Sequence, residues 1–500
     1  MPDAPEQRRA QLTTGIGWAM VSQAIDVVIS FGSMLVLVRI IAPAEYGRAA
    51  AVVGMLAFVN TFGCHVFVNH AMQLPDADTP DWQAHWSAAL YLQLAVCIVC
   101  ECVAWGLWFV PAYRPVAPLM HIAGVGILLD GPNQIGAAML RRQLDFRRLR
   151  LLATGTTLLK LATTVVLALA GAGAYALVIG GNVVTGIPYA VHLIFVRRWR
   201  PPLGWWRLPS LREYRAPIHF GLQQIATGIV AAASGAAEAA ILPGTIGFGA
   251  MGLLGRARAL YTTTAGRLGS VLTDAVYPFL PRVSTDPERY ARHATTFLQV
   301  MLFITVPAAA FLGLEGPHVS RLLYGRKWIA MDPLIWPGVL SGVAVTMFMT
   351  CAGILLASGR LRSALAIQVA VTVLSVCALF VAWEARTVLW YGWGLTVAEA
   401  GAAGVALWLT RPLLTRDWAQ DAVYPPVGAS IIAASTSVAL QLIVAPATGA
   451  SHVALTTTVF SCVAVIACRV GFPAAFSKLL RLIPGQQLVP AWLAGDATTL

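Results

Sequence analysis

Long apolar stretches that are almost free of charge recur along the whole chain, and they constrain the fold more than any other feature of the sequence. A bilayer core needs about 20 apolar residues per helix. Fourteen segments of the 500-residue chain meet this requirement, at about 14–40, 47–69, 86–110, 115–140, 151–170, 173–196, 216–242, 248–281, 294–314, 330–357, 361–383, 388–410, 426–446 and 452–470. Only 11% of the residues are charged, against about 25% in a soluble globular protein. The sequence therefore excludes a water-soluble protein and predicts an all-α polytopic membrane protein with about fourteen transmembrane helices.

Positive charge divides unevenly between alternate loops, which predicts the orientation of the helices. With the N-terminus in the cytoplasm, the cytoplasmic segments are the two ends of the chain and the loops at 141–150, 197–215, 282–293, 358–362 and 411–425. They hold 23 of the 34 Lys and Arg residues, and the opposite side holds 7. Cytoplasmic loops carry such an excess in membrane proteins, so both termini are predicted to be cytoplasmic. Loop 70–85 is acidic and disagrees, but acidic residues weigh little in this rule. The net charge of +12 is explained by loops beside anionic lipid and does not indicate nucleic acid.

The start of the chain and an internal repeat set the predicted domain organisation. Arg8 and Arg9 precede an apolar stretch without a small-residue cleavage site, so the first helix is predicted to be retained. A shift of 200 residues aligns seven identities within 28 positions, including Pro43 and Gly47 with Pro243 and Gly247. Two six-helix lobes related by a pseudo-two-fold axis along the membrane normal are expected, followed by two further helices. The predicted segments are a cytoplasmic N-terminus at 1–13, lobes at 14–196 and 216–410, a cytoplasmic linker at 197–215, helices 13 and 14 within 411–470, and a cytoplasmic tail at 471–500.

Ionisable residues inside the predicted spans are the first candidates for function. They are Asp26, Glu101, Asp130, Lys160, Glu238, Arg256, Arg258, Arg267, Asp274 and Glu399. Facing lipid would cost roughly 25–35 kcal/mol for the whole set. We therefore expect most of them to face a hydrated interior or to form buried ion pairs.

The predicted helix 248–281 carries the most informative pattern. At 100° per residue, a polar stripe containing Arg256, Arg267 and Asp274 occupies one face. Similar stripes carry Asp26, Lys160 and Glu238 on the predicted helices 14–40, 151–170 and 216–242. Together they predict a polar cavity between the two halves, with the buried ion pair as the alternative for each charge. Arg258 points away from the stripe, which favours a structural role.

Motifs of catalysis are missing from the sequence. It contains no GxxxxGK[ST] phosphate loop, GxSxG elbow or HExxH pair. Asp76 and Asp78 have the DxD spacing of sugar-nucleotide sites, but no nucleotide-binding domain surrounds them, which favours a solvated turn. Most of the eight cysteines fall in apolar stretches and are expected to be packing residues. We predict no catalytic residues, no metal site and no cofactor, and therefore not an enzyme.

Several motifs in order resemble bacterial polysaccharide flippases of the multidrug, oligosaccharidyl-lipid and polysaccharide exporter superfamily. The stretch Arg39–Gly47 is similar to their R-x-L-x-P-x-x-[YF]-G turn, and Leu140–Arg148 to their loop after helix 4. Gly255-Arg256-Ala257 is similar to their Y-S-R-A, and the end of the same helix to their F-P-x-x-x-R. The residues that match F-P-x-x-x-R are Tyr277, Pro278 and Arg282. A further motif, Gly325-Arg326-Lys327-Trp328, resembles their G-x-x-W. Gly255 departs from the family's frequent Ser, which leaves the substrate class open.

The resemblance implies a flippase of the bacterial inner membrane. Such a protein moves an undecaprenyl-pyrophosphate-linked oligosaccharide to the periplasmic leaflet by alternating access through a cationic cavity, for exopolysaccharide, capsule or O-antigen assembly. Arg256 and Arg267 are the predicted pyrophosphate ligands, because the arginine fork stays charged and donates to phosphate, and Lys160 is predicted to assist. A polysaccharide polymerase and co-polymerase are possible partners, and the tail is expected to stay in lipid at a gap between the lobes.

Two other classes and one mechanistic hypothesis stay open. A multidrug or cation antiporter of the same superfamily should have an acidic cavity, against which the three arginines of the predicted helix 248–281 argue. A membrane polymerase or ligase typically presents a large periplasmic loop, and none is predicted here. Without an ATP site, transport requires an ion gradient or removal of product. We predict that Asp26, Glu238 and Asp274 are the candidates for coupling to H⁺ or Na⁺.

Overall fold

The computed structural model describes residues 26, 28–72, 74, 80–143, 145–196, 206–208, 210, 212, 214–276, 279–443 and 449–480. The regular structure within these ranges is helical, without a strand. The chain divides between Gly252 and Leu253 into two compact units. The predicted N-terminus 1–13, linker residues 197–205, Asp76, Asp78 and the tail beyond 480 lie outside the described residues.

The first unit is a bundle of helices. Its helices are α1 (Val28–Ile40), α2 (Pro43–Asn60), α3 (His65–Met72), α4 (Trp82–Trp108), α5 (Ala117–Ile127), α6 (Asp130–Arg142), α7 (Phe146–Leu169), α8 (Ala174–Phe195) and most of α9 (Arg215–Thr262). Helix α9 is interrupted at Gly247, whose φ of 84° is accessible to glycine at little cost. The first unit ends five residues after this break.

The second unit contains the rest of the helices. They are the end of α9, then α10 (Ala265–Val276), α11 (Pro287–Tyr324), α12 (Arg326–Ala357), α13 (Leu361–Ala385), α14 (Val388–Thr410), α15 (Tyr424–Ile443), α16 (Ala450–Gly471) and α17 (Pro473–Leu480). Helix α12 begins with a 3₁₀ segment, Arg326–Leu334, and the left-handed φ of 89° at Gly325 ends α11.

The predicted fold class is confirmed: the chain is an all-α, polytopic membrane protein. Among the described residues, nine helices are long and apolar enough to cross a membrane, and ten if the bent pair α2 and α3 counts as one span. Each of the fourteen predicted segments overlaps a described helix, but 115–140 is divided into α5 and α6. The lobe boundaries and the sidedness of the termini stay predictions.

Two glycines let α2 approach the segment after the Gly247 break. A Cβ added at Gly47 would lie 1.8 Å from the carbonyl oxygen of Phe248, and one at Gly252 would lie 1.9 Å from the carbonyl oxygen of Pro43. Both contacts are to backbone, which cannot rotate away as a side chain does. Gly47 belongs to the first sequence motif, so this close approach gives the motif a structural reason.

Other residues of the first two motifs also have structural roles. The Glu45 carboxylate accepts a hydrogen bond from the Ala174 backbone N–H at 2.9 Å, at the beginning of α8, where a negative charge is favourable. Arg48 pairs with the same carboxylate at 2.6 Å. From the second motif, Arg142 donates to the carbonyl oxygen of Ala71 at 2.7 Å and so caps the end of α3.

Substitution at these close contacts should destabilise the first unit. We expect Gly47→Ala and Gly252→Ala to lower the free energy of unfolding by about 1–3 kcal/mol or more, because the methyl group overlaps backbone. Gly249→Ala is the matched control, since open space surrounds that position. Thermal unfolding of the detergent-solubilised variants measures the difference, and equal midpoints for all three variants would contradict the close packing.

Candidate functional site

The six predicted site residues divide evenly between the two units. Asp26, Lys160 and Glu238 belong to the first unit, and Arg256, Arg267 and Asp274 belong to the second. The side chain of Asp274 lies outside the described part of the structure, although its backbone is helical. The polar cavity expected from these residues stays a prediction.

In the first unit, the polar stripe of α7 is largely satisfied by its own helix. The hydroxyls of Thr156 and Thr157 donate to carbonyl oxygens four residues earlier, at 2.8 and 3.1 Å, and Thr164 donates to the carbonyl oxygen of Lys160 at 2.6 Å. The side chain of Lys160 is exposed and forms no ion pair with a described residue. Lys160 is therefore the group on this stripe that is available to a ligand.

The two candidate coupling carboxylates of the first unit are both half-buried. Oδ1 of Asp26 is buried and has no hydrogen-bond partner among the described residues. Glu238 lies on α9, the helix that contains the Gly247 break. Only 11% of the most apolar stretch of α7, and the same share of α9, is buried. The helices that carry Lys160 and Glu238 thus keep most of their surface open.

The polar stripe predicted on the helix 248–281 is interrupted in the structure, so the prediction of one continuous stripe is wrong. The prediction assumed one continuous helix, whereas Thr263 and Thr264 form a turn between the end of α9 and α10. The side chain of Thr264 donates to the carbonyl oxygen of Leu260 at 2.6 Å. Such bonding competes with regular helical structure and bends helices. Arg256 and Arg267 therefore lie on separate helical segments, with Arg267 exposed and Arg256 half-buried.

Arg258 has the structural role that its position off the stripe favoured. Its Nη2 lies 2.9 Å from Oε1 of Glu399 on α14, and the other carboxylate oxygen accepts a hydrogen bond from the Ser341 hydroxyl on α12. The Glu399 side chain is only 6% exposed. The pair thus ties the end of α9 to two other helices of the second unit.

Breaking this pair should destabilise the protein, whereas removing an exposed arginine should not. We expect Arg258→Gln to lower the free energy of unfolding by about 3–5 kcal/mol, because it leaves a buried carboxylate without its partner. The double variant Arg258→Gln/Glu399→Gln should recover part of that loss. Arg267→Gln is the matched control and should unfold like the parent in a thermal melt; an equal loss in the control would refute the assignment.

Two more of the intramembrane carboxylates have partners within the first unit. Asp130 accepts from Nε2 of Gln93 at 3.3 Å, and the same amide group donates to the carbonyl oxygen of Ile127 at 3.2 Å, beside the break between α5 and α6. Glu101 contacts Nδ1 of His121. These contacts support the structural alternative for Asp130 and Glu101.

The second unit contains a large apolar groove that sequence reasoning missed. It encloses about 1180 Å³ between α11 and α16, with further walls from α10, α17 and the turn after α10. Six phenylalanines line it: Phe279, Phe297, Phe303, Phe311, Phe460 and Phe476. The lining residues of α11 extend from Arg289 to Phe311, about 33 Å along a helix, which is close to the thickness of a bilayer core.

One end of this groove is basic. Arg289, Arg292 and His293 line it there on the first turns of α11. All three residues are exposed, and the two arginines form no ion pair with a described residue. Arg282, from the fourth motif, lies with its guanidinium 5.7 Å from the centre of the Phe279 ring. The groove thus has an apolar wall and a cationic rim.

The sequence held a partial signal for this rim. Arg289, Arg292 and His293 are spaced i, i+3 and i+4, which places them on one helical face. In the predicted topology, the two arginines contribute only to the cytoplasmic charge. The wall could not be found in the same way, because α11 and α16 are far apart in the sequence and their phenylalanines look like ordinary membrane-facing residues.

Comparison with protein families identifies the chain. The model of a family described as polysaccharide biosynthesis protein matches residues 36–333, more than half of the sequence, so the chain belongs to this family. The lipopolysaccharide biosynthesis protein WzxC of Escherichia coli (strain K12) is 20% identical over 328 residues, 65% of this chain and 66% of that protein. An uncharacterised membrane protein in the cps region of Klebsiella pneumoniae is 18% identical over 318 residues, 64% of this chain and 65% of that protein. The match spans just under two thirds of each relative.

Two solved structures share the fold of this chain. The lipid II flippase MurJ, in an inward closed conformation, superposes with a TM-score of 0.71 at 11% identity, covering 92% of this chain and 99% of that one. An inward-facing multidrug resistance MATE family transporter of the MOP superfamily gives 0.58 at 16% identity, covering 79% and 97%. At these identities the likeness concerns the fold. The family match agrees with the resemblance found in the sequence motifs.

Proposed function

We propose that this protein is a flippase for lipid-linked oligosaccharide in polysaccharide biosynthesis. The observation that carries the proposal is the apolar groove with its cationic rim. A lipid-linked, phosphorylated substrate combines a long apolar chain with an anionic head, and the groove offers both environments in one unit. Arginine donates charge-assisted hydrogen bonds to phosphate oxygens, while the phenylalanine wall removes apolar surface from water.

Family and fold support the same proposal. The family model and the name of WzxC concern polysaccharide and lipopolysaccharide biosynthesis, and MurJ is named as a lipid II flippase. A cation antiporter would gain nothing from two exposed arginines at the mouth of a groove, since like charges repel. The groove also modifies the earlier expectation that the lipid tail stays at a gap between the lobes, because it offers the tail a place within the second unit.

The finer features of the proposal follow the sequence predictions. The substrate is an undecaprenyl-pyrophosphate-linked repeat unit that moves to the periplasmic leaflet of the bacterial inner membrane, with both termini of the protein in the cytoplasm. The arginine rim, which lies in the predicted cytoplasmic loop 282–293, receives the head first. Arg256, Arg267 and Lys160 then bind the pyrophosphate during translocation, and a polymerase and co-polymerase use the product. In support, Lys160 and Arg267 are exposed and without an ion pair to a described residue.

The rim is tested by flipping in proteoliposomes with a fluorescent polyprenyl-pyrophosphate oligosaccharide. We expect Arg289→Gln/Arg292→Gln to lower the initial rate about tenfold or more, because each charge-assisted hydrogen bond contributes about 1.5–3 kcal/mol. Ala308→Phe, which narrows the apolar wall, should lower it as well. The matched control is Arg360→Gln/Arg362→Gln, which removes two exposed arginines on the same predicted side. A parental rate in both groove variants would refute the proposed role of the groove.

Ion coupling is tested in the same vesicles with an imposed pH or sodium gradient. Asp26→Asn and Glu238→Gln should insert normally, and at least one should lose the acceleration of flipping by the gradient, because a neutral side chain cannot exchange a proton or an ion. Glu384→Gln, an exposed carboxylate at the end of α13, serves as the control. If both variants respond to the gradients as the parent does, coupling through these two residues is wrong.

A further inference from the structure

Three ligand-type side chains of the second unit meet beyond the far end of the groove. Glu315 and His318 lie on α11, one turn and two turns after the groove residue Phe311. His452 lies on the first turn of α16, before the groove residue Thr457. One ligand atom from each of the three residues lies within 4.8 Å of the other two.

The distances between these atoms match a metal site. Nε2 of His452 lies 3.2 Å, and Nδ1 of His318 lies 3.4 Å, from the same carboxylate oxygen, Oε2 of Glu315. Around a tetrahedral zinc ion with bonds near 2.1 Å, ligand atoms are about 3.4 Å apart. The two imidazole rings are 4.4 Å apart at their centres, so both nitrogens approach the carboxylate from neighbouring directions.

Unused polar atoms point into the cluster. Glu315 is 1% exposed, yet its Oε2 has no hydrogen bond of good geometry, and neither has the buried Nε2 of His452. The other carboxylate oxygen, Oε1, accepts a hydrogen bond from Nε2 of Gln441 on α15. Gln441 thereby orients the carboxylate and leaves Oε2 for a ligand, as outer-shell partners do in metal sites. A buried carboxylate oxygen without a hydrogen bond is costly, and a cation bound between the carboxylate and the two imidazoles removes that cost.

We propose that Glu315, His318 and His452 bind a divalent transition-metal ion, of which zinc fits the donor set best. Two imidazoles and one carboxylate form a known three-residue zinc set, with a fourth position left to water. Because His318 is exposed, an ion can enter from solvent. The predicted topology places this end of α11 on the periplasmic side, where metal ions from outside the cell arrive.

The metal links α11 to α16 at the end of the groove opposite the arginine rim. Both helices form groove walls, so a bond between them fixes the width of the groove at that end. Through Gln441, helix α15 is connected to the same point. The ion therefore acts as a clamp on the groove, and this role is independent of which substrate the groove takes.

Zinc alone is the probe for this site. The purified full-length protein in detergent is stripped with chelator, exposed to zinc, desalted and analysed by mass spectrometry for metal content. We expect one zinc per chain and a midpoint of thermal unfolding raised by about 3 °C or more, since a ligand that binds the folded state stabilises it. Cobalt in the same site should give the visible absorption of a tetrahedral centre.

Three variants separate a metal site from an ion pair. Glu315→Gln and His318→Gln should lose the bound zinc and the rise in melting temperature, and the exposed position of His318 keeps the second variant informative if the first folds poorly. The matched control is His121→Gln, because His121 also faces a carboxylate, Glu101, but the part of the chain that the structure describes offers no third ligand there. It should keep one zinc per chain. Failure of the parent to retain zinc, or retention by His318→Gln, would overturn the proposal.

Discussion

The inability of hydrocarbon to form hydrogen bonds is the constraint on which the rest of this structure depends. Every polar group inside a span must find a partner in the protein, in water or in a ligand, and many described residues find theirs within the protein. Threonines of α7 donate to their own helix. Gln93 joins the backbone and the carboxylate at the break between α5 and α6. Arg258 and Glu399 satisfy each other between two helices of the second unit. Charged residues with such partners hold helices together. Charged residues without them in the described part of the chain, such as Lys160 and Arg267, are the ones we propose to be available to a substrate.

Helix α11 shows how one long element can serve several roles. Its 38 residues extend about 57 Å, which is longer than the bilayer core is thick, so the helix is long enough to reach from one side of a membrane to the other. The first turns carry the arginine rim, the middle supplies the apolar wall, and Glu315 and His318 lie toward the other end. The lipid-linked substrate that we propose has a charged head at one end and an apolar chain beyond it. The arginines followed by an apolar wall along α11 match this arrangement.

Much of the fold and part of the site were predictable from the sequence, because those features are local. Apolar stretches of about 20 residues specify membrane helices one by one, and the spacing of Arg256 and Arg258 already assigned them to different faces of their helix. The structural role of Arg258 followed from that difference in direction. The helix predicted over 248–281 is not continuous at Thr263 and Thr264, where the Thr264 hydroxyl donates to the backbone of the preceding turn. The apolar pattern of the sequence gives no sign of this interruption.

The sequence by itself determined the all-α membrane class, the family, and the excess of cationic side chains, since these depend on composition, period and short motifs. Tertiary structure alone decided which charges are paired and which groups meet across long separations. Glu399 is 141 residues from Arg258, and His452 is 137 residues from Glu315. A hydrophobic pattern says that a helix forms but not which helix it packs against. The groove, the ion pair and the ligand cluster exist only because that choice brings distant faces together.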